Sequence, residues 1–164
     1  VNKATPALFK RFPTAEAYAA SSPEEIEGSI RTIGLYRNKA KAIHAAATTL
    51  VNEFGGEVPQ TMDELLRLRG VARKTANVVL GNAFGVNVGV VVDTHVARVS
   101  QRYGLTEHTD VKKIEKDLMA LVPRPHWTML SHLLIFHGRR VCKARGAGCA
   151  DNALCQRYCA NAKA

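Results

Sequence analysis

The sequence predicts an all-α fold, and three observations carry that prediction. Apolar residues recur at three- and four-residue spacing through most of the chain. Capping residues stand immediately ahead of these periodic runs. Aromatic residues make up only 6% of the chain while alanine, valine and leucine are abundant, a composition that favours close-packed helices.

The elements follow in order. Ser22-Pro23-Glu24-Glu25 reads as an N-cap, a proline at the first helical position and two acids in the first turn. Ile26, Ile30 and Ile33 then line one face until Gly34 stops the helix. Ala40, Ile43, Ala47, Leu50 and Phe54 repeat at helical spacing up to Gly55-Gly56. Thr61-Met62-Asp63-Glu64 is a capping box that opens a short helix through Leu65, Leu66 and Leu68. Residues 74–84 form the next helix. Residues 86–92 (VNVGVVV) have the composition of a strand but no partner strand in view, so a buried extended connection is expected. Asp93 caps a helix through Val96, Val99 and Tyr103. Asp110 starts another, with Val111, Ile114, Leu118 and Leu121 inward and Pro123 ending it. A last apolar helix runs from about Trp127 to His137.

A chain of 164 residues suffices for one sizeable core or for two small lobes. Apolar residues are 46% of it and no low-complexity tract interrupts them, which excludes disordered and fibrous classes. No apolar run approaches the roughly 18 residues of a membrane span, and no signal peptide precedes the first helix. A soluble monomer is expected, cytoplasmic and nucleoid-associated if the source is bacterial, with no membrane partner. Twenty-three Lys and Arg oppose fourteen Asp and Glu, a net charge of +9. That excess suits a polyanion, most often nucleic acid, although charge alone does not choose among DNA, RNA and acidic proteins.

Residues 65–84 read as helix, five-residue turn, helix. A turn holding Gly70 among small apolar residues leaves backbone N–H groups close to the surface, where they and the positive end of the next helix suit a phosphate oxygen. Lys74, beside Arg73 at that helix start, faces both the dipole and a neighbouring cation. A neutral amine there is able to attack an electrophilic carbon and form a Schiff base. The plain alternatives are an ordinary αα-corner and a solvated lysine.

LRGVARKTANVVLGNAFG followed by VVVDTHVARV resembles the helix-hairpin-helix and Gly/Pro-rich-loop-plus-Asp signature of the DNA glycosylase superfamily, most closely its endonuclease III branch. RTIGLYRNKA (31–40), GGEVP (55–59) and LIFHGRRVCKAR (134–145) extend the resemblance over nearly the whole chain. It implies a six-helix-type domain (1–86, with the hairpin at about 61–84) and a smaller helical iron–sulfur domain (87–164, cysteines 142–159). It further implies a bifunctional DNA glycosylase/AP lyase that removes oxidised pyrimidines from double-stranded DNA and nicks abasic sites by β-elimination. Lys74 would attack the sugar C1′ and Asp93 would take its proton and offset the charge on the sugar. Asp93 is also a good helix N-cap, and the two roles are compatible. Leu35 would be the apolar wedge, with a core anchor as the alternative reading. Arg69, Gly70, Val71, Ala72, Arg73 and Thr75 would meet DNA at the hairpin.

Two hairpin positions depart from the usual L-P-G-V-G-R-K: Arg69 replaces proline and Ala72 the second glycine. Alanine would cost about 1 kcal/mol if position 72 needs a positive φ, and little if it needs only a small residue. The family also carries, ahead of the point where this sequence begins, a helix of the cluster domain and a glutamine that fills the vacated stack. Two other readings compete: a monofunctional mismatch-adenine glycosylase, which lacks the lysine and needs a further domain, and a non-catalytic helix-hairpin-helix DNA-binding module.

Cys142, Cys149, Cys155 and Cys159 are the only cysteines, all near the C-terminus, which argues against a disulfide scaffold. Of the gaps in C-x6-C-x5-C-x3-C only the last suits a zinc pair, whereas a four-thiolate iron–sulfur cluster accommodates wider loops. The resemblance implies a [4Fe–4S] cluster spaced C-x6-C-x2-C-x5-C; the first gap matches, and Asn152 and Tyr158 stand where the other spacing puts cysteines. Zinc or a degraded site is the alternative. The loop KARGAG (143–148) would present Lys143 and Arg145 to DNA phosphates.

Overall fold

The computed structural model describes residues 1–145 and 148–159, so positions 146 and 147 of the loop at 143–148 lie outside the described residues. Every regular element among the described residues is helical: ten α-helices and one 3-10 turn, with no strand. The chain divides into two compact units, Val1–Ala76 and Asn77–Ala164.

In the first unit the long α4 (Tyr36–Phe54) packs against α2 (Ala15–Ala19) and α3 (Pro23–Ile30), and α1 (Thr5–Arg11) lies on α3. Alanines at positions 40 and 47 are the buried residues of α4, and their small side chains let its neighbours approach closely. Leu8, Phe12, Ile26, Ile30 and Ala40 form the core. Complete burial of a side chain such as Ile26 or Ile30 contributes about 1.5–3 kcal/mol.

The start of α3 is a full capping box: Ser22 Oγ accepts from the Glu25 amide at 3.2 Å, and the Glu25 carboxylate accepts from the Ser22 amide at 2.8 Å. The helix ends at Ile30, so Ile33 sits in the turn beyond it. Gly55 closes α4 in the left-handed conformation at φ 61, and its N–H returns to the Leu50 carbonyl. At α5 (Met62–Arg67) the box is half formed. Thr61 Oγ1 accepts from the Glu64 amide at 3.3 Å, but the Glu64 carboxylate takes the Thr61 hydroxyl proton rather than a backbone N–H.

α6 (Arg73–Ala83) begins in the first unit and runs into the second. Residues 86–92 form neither helix nor strand; the connection bends at Val88 and Gly89, where continuous extension was expected, and only its second half, with Val90, Val91 and Val92, is buried. α7 (Thr94–Arg102), α8 (Val111–Leu121), the 3-10 turn Arg124–His126, α9 (Trp127–Arg140) and α10 (Ala153–Tyr158) complete the second unit. Its core joins Val90, Val92, Val96, Val99, Ile114, Leu118, Leu134 and Cys142.

One face differs from expectation. Ile114 and Leu118 are fully buried, but Val111 and Leu121 are 50% and 58% exposed, because they stand in the terminal turns of α8, past the core that covers its middle. The third buried residue of α8 is Glu115, whose Oε1 accepts from Asn77 Nδ2 at 2.9 Å. No helix among the described residues is long and apolar enough to cross a membrane.

Candidate functional site

The loop between α5 and α6 is built by Leu68 and Gly70. Leu68 leaves α5 in an extended conformation (φ −74, ψ 127) with its side chain buried. The Val71 amide donates back to the Leu68 carbonyl at 3.1 Å, closing a four-residue turn centred on Arg69 and Gly70. Gly70 has φ 85, the value that the third residue of a type II turn requires. A Cβ there would also stand 2.9 Å from Ala42 Cβ, so space and conformation both demand glycine. The amides of Arg69, Gly70 and Ala72 have no backbone partner among the described residues, whereas those of Leu68 and Val71 are used within the chain. Leu35 is the one non-glycine described residue with positive φ, so Ala72 sits without strain.

Lys74 and Thr75 occupy the exposed side of the first turn of α6, while Ala76, Asn77 and Leu80 turn inward. No ion pair or side-chain hydrogen bond engages Lys74 among the described residues. Leu35 caps α4 from the left-handed region (φ 60, ψ 31) and is 76% exposed. The Lys39 ammonium donates to the Gly34 carbonyl at 2.6 Å, holding this loop in place. A leucine held at positive φ and turned to solvent is not a core anchor.

In the second unit, Asp93 is the N-cap of α7. Its Oδ1 accepts from the amides of both His95 and Val96 at 2.8 Å. Oδ2 has no hydrogen-bond partner among the described residues, so one oxygen is fixed and the other is open. The same helix reaches the cysteine segment. Arg98 donates to the carbonyls of Gly138 and Cys142, each at 2.9 Å, and Arg102 donates to Cys142 Sγ at 3.1 Å and to the Lys143 carbonyl at 2.8 Å. Lys143 and Arg145 are exposed.

All four cysteines are free thiols and all are buried. Cys155 and Cys159 lie one helical turn apart at the end of α10, with the Cys159 amide donating to the Cys155 carbonyl at 2.9 Å. Asn152, at a position where the usual spacing has a cysteine, N-caps α10 instead, its Oδ1 accepting from the Cys155 amide at 3.1 Å. Tyr158, at the other such position, is exposed. The four-residue step of a helix thus places Cys155 and Cys159 on one buried face.

Burial, then the hydrogen bond to Cys155 and the charges of Cys155, Cys159 and Cys142, push the Cys149 thiol up to about 11. The thiol contact to Cys142 raises the Arg102 guanidinium further, and burial followed by the Cys155 contact raises the Tyr103 phenol. Tyr103 Oη lies 2.7 Å from His137 Nε2 and 3.4 Å from Cys155 Sγ. No three His, Cys, Asp or Glu among the described residues are arranged to hold a single ion.

The model of the HhH-GPD superfamily base excision DNA repair proteins matches residues 1–124. Endonuclease III of Synechocystis sp. is 56% identical over 164 residues, 100% of this chain and 74% of that relative. The chain belongs to the endonuclease III branch of the HhH-GPD superfamily. Endonuclease III of Bacillus subtilis is 48% identical over 152 residues, covering 92% of this chain and 69% of the relative. The solved structure of a trapped endonuclease III–DNA covalent intermediate, an estranged-adenine complex, matches with a TM-score of 0.93 at 45% identity, over 99% of this chain and 76% of that one. Membership of this branch makes the chain a base-excision repair enzyme, a DNA glycosylase with AP lyase activity.

Set against the endonuclease III pattern, both hairpin departures are accommodated locally: Ala72 needs no positive φ, and Arg69 fills the turn position that proline favours. Sequence reasoning missed the groups that hold the site's backbone, among them Arg98, Arg102, Ser131 and the Asn77–Glu115 pair. The one signal available was a serine and a threonine within the otherwise apolar start of α9.

Proposed function

We propose that this chain excises oxidised pyrimidines from double-stranded DNA, with Lys74 as nucleophile and Asp93 as its partner. The neutral Lys74 amine forms a bond to C1′ as the C1′–N bond to the base breaks, and the base leaves with the electron pair. Asp93 takes the proton that Lys74 sheds and offsets the positive charge developing on the sugar. The nitrogen lone pair then forms the imine as the C1′–O4′ bond breaks, O4′ keeping the electron pair and taking a proton to become a hydroxyl. The protonated imine acidifies the 2′ proton. Loss of that proton expels the 3′ phosphate and nicks the strand.

The observation that carries this reading is the exposed Lys74, unengaged among the described residues, in the first turn of α6 directly after the Gly70 turn, in a chain of this family. Arg69, Gly70, Val71, Ala72, Arg73 and Thr75 hold the phosphates at the hairpin, Leu35 enters the stack, and Lys143 and Arg145 add contacts from the second unit. Because the Val71 amide closes the turn, the phosphate cradle rests on the amides of Arg69, Gly70 and Ala72.

Cys142, Cys149, Cys155 and Cys159 would hold a [4Fe–4S] cluster. The donor set fits by its chemistry: four free, buried thiols near one another in sequence match the four thiolates that such a cluster needs. When bound, such a cluster supplies cross-linking of the C-terminal segment; the excision chemistry is carried by Lys74 and Asp93.

Borohydride reduction over abasic-site duplex is the direct test. The wild-type protein should give a covalent protein–DNA adduct, and Lys74→Ala should give none. A folded wild-type protein that yields no adduct overturns the reading.

A further inference from the structure

Residues 86–92 deliver Asp93 to the start of α7 without any strand partner, and yet they are pinned within the second unit. Asn87 Oδ1 accepts from the Thr128 amide at 3.1 Å and from the Thr128 hydroxyl at 2.6 Å. Gly89 is packed so tightly onto Asn77 and Glu115 that a Cβ has no room. The Val91 amide, two residues before Asp93, donates to Ser131 Oγ at 2.9 Å, and that hydroxyl donates to the Trp127 carbonyl at 3.0 Å.

The last contact bears most directly on chemistry. Val90 and Val92 belong to the core, so the backbone between them is held away from water. Ser131 is 2% exposed and supplies the acceptor that the Val91 amide would otherwise lack. Both hydroxyls of α9, Thr128 and Ser131, are turned onto this connection, at Asn87 and at Val91. The α7 amides orient the Asp93 carboxylate, but they move with α7. Ser131 ties the backbone entering Asp93 to a different helix.

We propose that Ser131 is a positioning residue for Asp93, setting through the Val91 amide where the carboxylate stands during base excision. This rests on the role assigned to Asp93 above. The loss of Ser131 therefore acts only through Asp93, whereas a purely structural serine would act independently of it.

The test is a double-mutant cycle in single-turnover excision from a duplex carrying one oxidised thymine, with DNA affinity and melting temperature measured alongside. Ser131→Ala should lower the excision rate about tenfold to a hundredfold, the scale of a small misplacement, with little change in DNA affinity. In an Asp93→Asn background the same change should cost nothing further. Ser100→Ala, which removes another buried hydroxyl of the second unit, should keep the wild-type rate. Should the alanine variant not fold, Ser131→Cys has similar volume and a weaker acceptor, and it reads the same cycle. A wild-type rate in the Ser131 variant, or an equal loss in both backgrounds, overturns the proposal while leaving Asp93 in its role. A wild-type rate in Asp93→Asn overturns the role of Asp93 and this inference with it.

Discussion

At the scale of single residues, the hairpin turn separates what this chain changes from what it keeps. Gly70 carries two constraints at once, a φ of 85 and contact with Ala42, and no other side chain meets both. Gly70→Ala should destabilise the protein by about 1–2 kcal/mol from the left-handed backbone alone. Arg69 carries neither constraint. Its amide has no backbone partner among the described residues, and Leu68 ahead of it is already in the extended region that a following proline requires. Arg69→Pro should therefore stabilise by about 0.4–1 kcal/mol through the unfolded chain, read as a raised denaturant midpoint at constant slope. It should also weaken DNA binding, because both the cation and one amide of the proposed cradle go with it. Unchanged affinity in Arg69→Pro would mean that Arg69 makes no phosphate contact. Ala72→Gly should bring no gain, since alanine is unstrained there.

At the scale of elements, capping chemistry made most helices legible. Ser22, Thr61, Asp93 and Asp110 each accept backbone amides at a helix start that the sequence predicts. The elements it did not predict are short: α1 has seven residues and no side-chain cap bond, and α2 has five. α10 was hidden because its residues read first as metal ligands. The helix-start positions of Lys74 and Asp93 were legible because that local setting is written in adjacent residues. Ser131 and Glu115 were not, because their partners stand 40 and 38 positions away and only packing brings them together.

α10 in turn makes the altered cysteine spacing testable. If its helical step supplies two ligands of one cluster, the purified protein should contain iron and acid-labile sulfide, and Cys159→Ser should lose both together with thermal stability. Asn152→Ala removes only the cap, costing about 1 kcal/mol, and should retain the iron. A zinc-loaded, colourless wild-type protein would remove the cluster from the proposal.

At the scale of the molecule, the net charge of +9 sets how DNA is held, and it lets phosphate contacts be told apart from the wedge. Each phosphate neutralised on duplex DNA releases counterions, so the logarithm of affinity falls with the logarithm of salt by about 0.9 per contact. Lys143 and Arg145 are exposed, and the backbone of Lys143 is tied by Arg102 to the helix that Asp93 caps. Removing either cation should weaken binding to duplexes of any sequence and reduce the salt slope by about 1. Leu35 carries no charge, so Leu35→Ala should leave the slope unchanged and slow excision if opening the stack is, as proposed, the role of this exposed apolar side chain. Titrations of the three variants over one salt series distinguish these roles. An unchanged slope for both Lys143→Ala and Arg145→Ala would confine the phosphate contacts to the hairpin, and a reduced slope for Leu35→Ala would mean that its loop works by positioning cations rather than by entering the duplex.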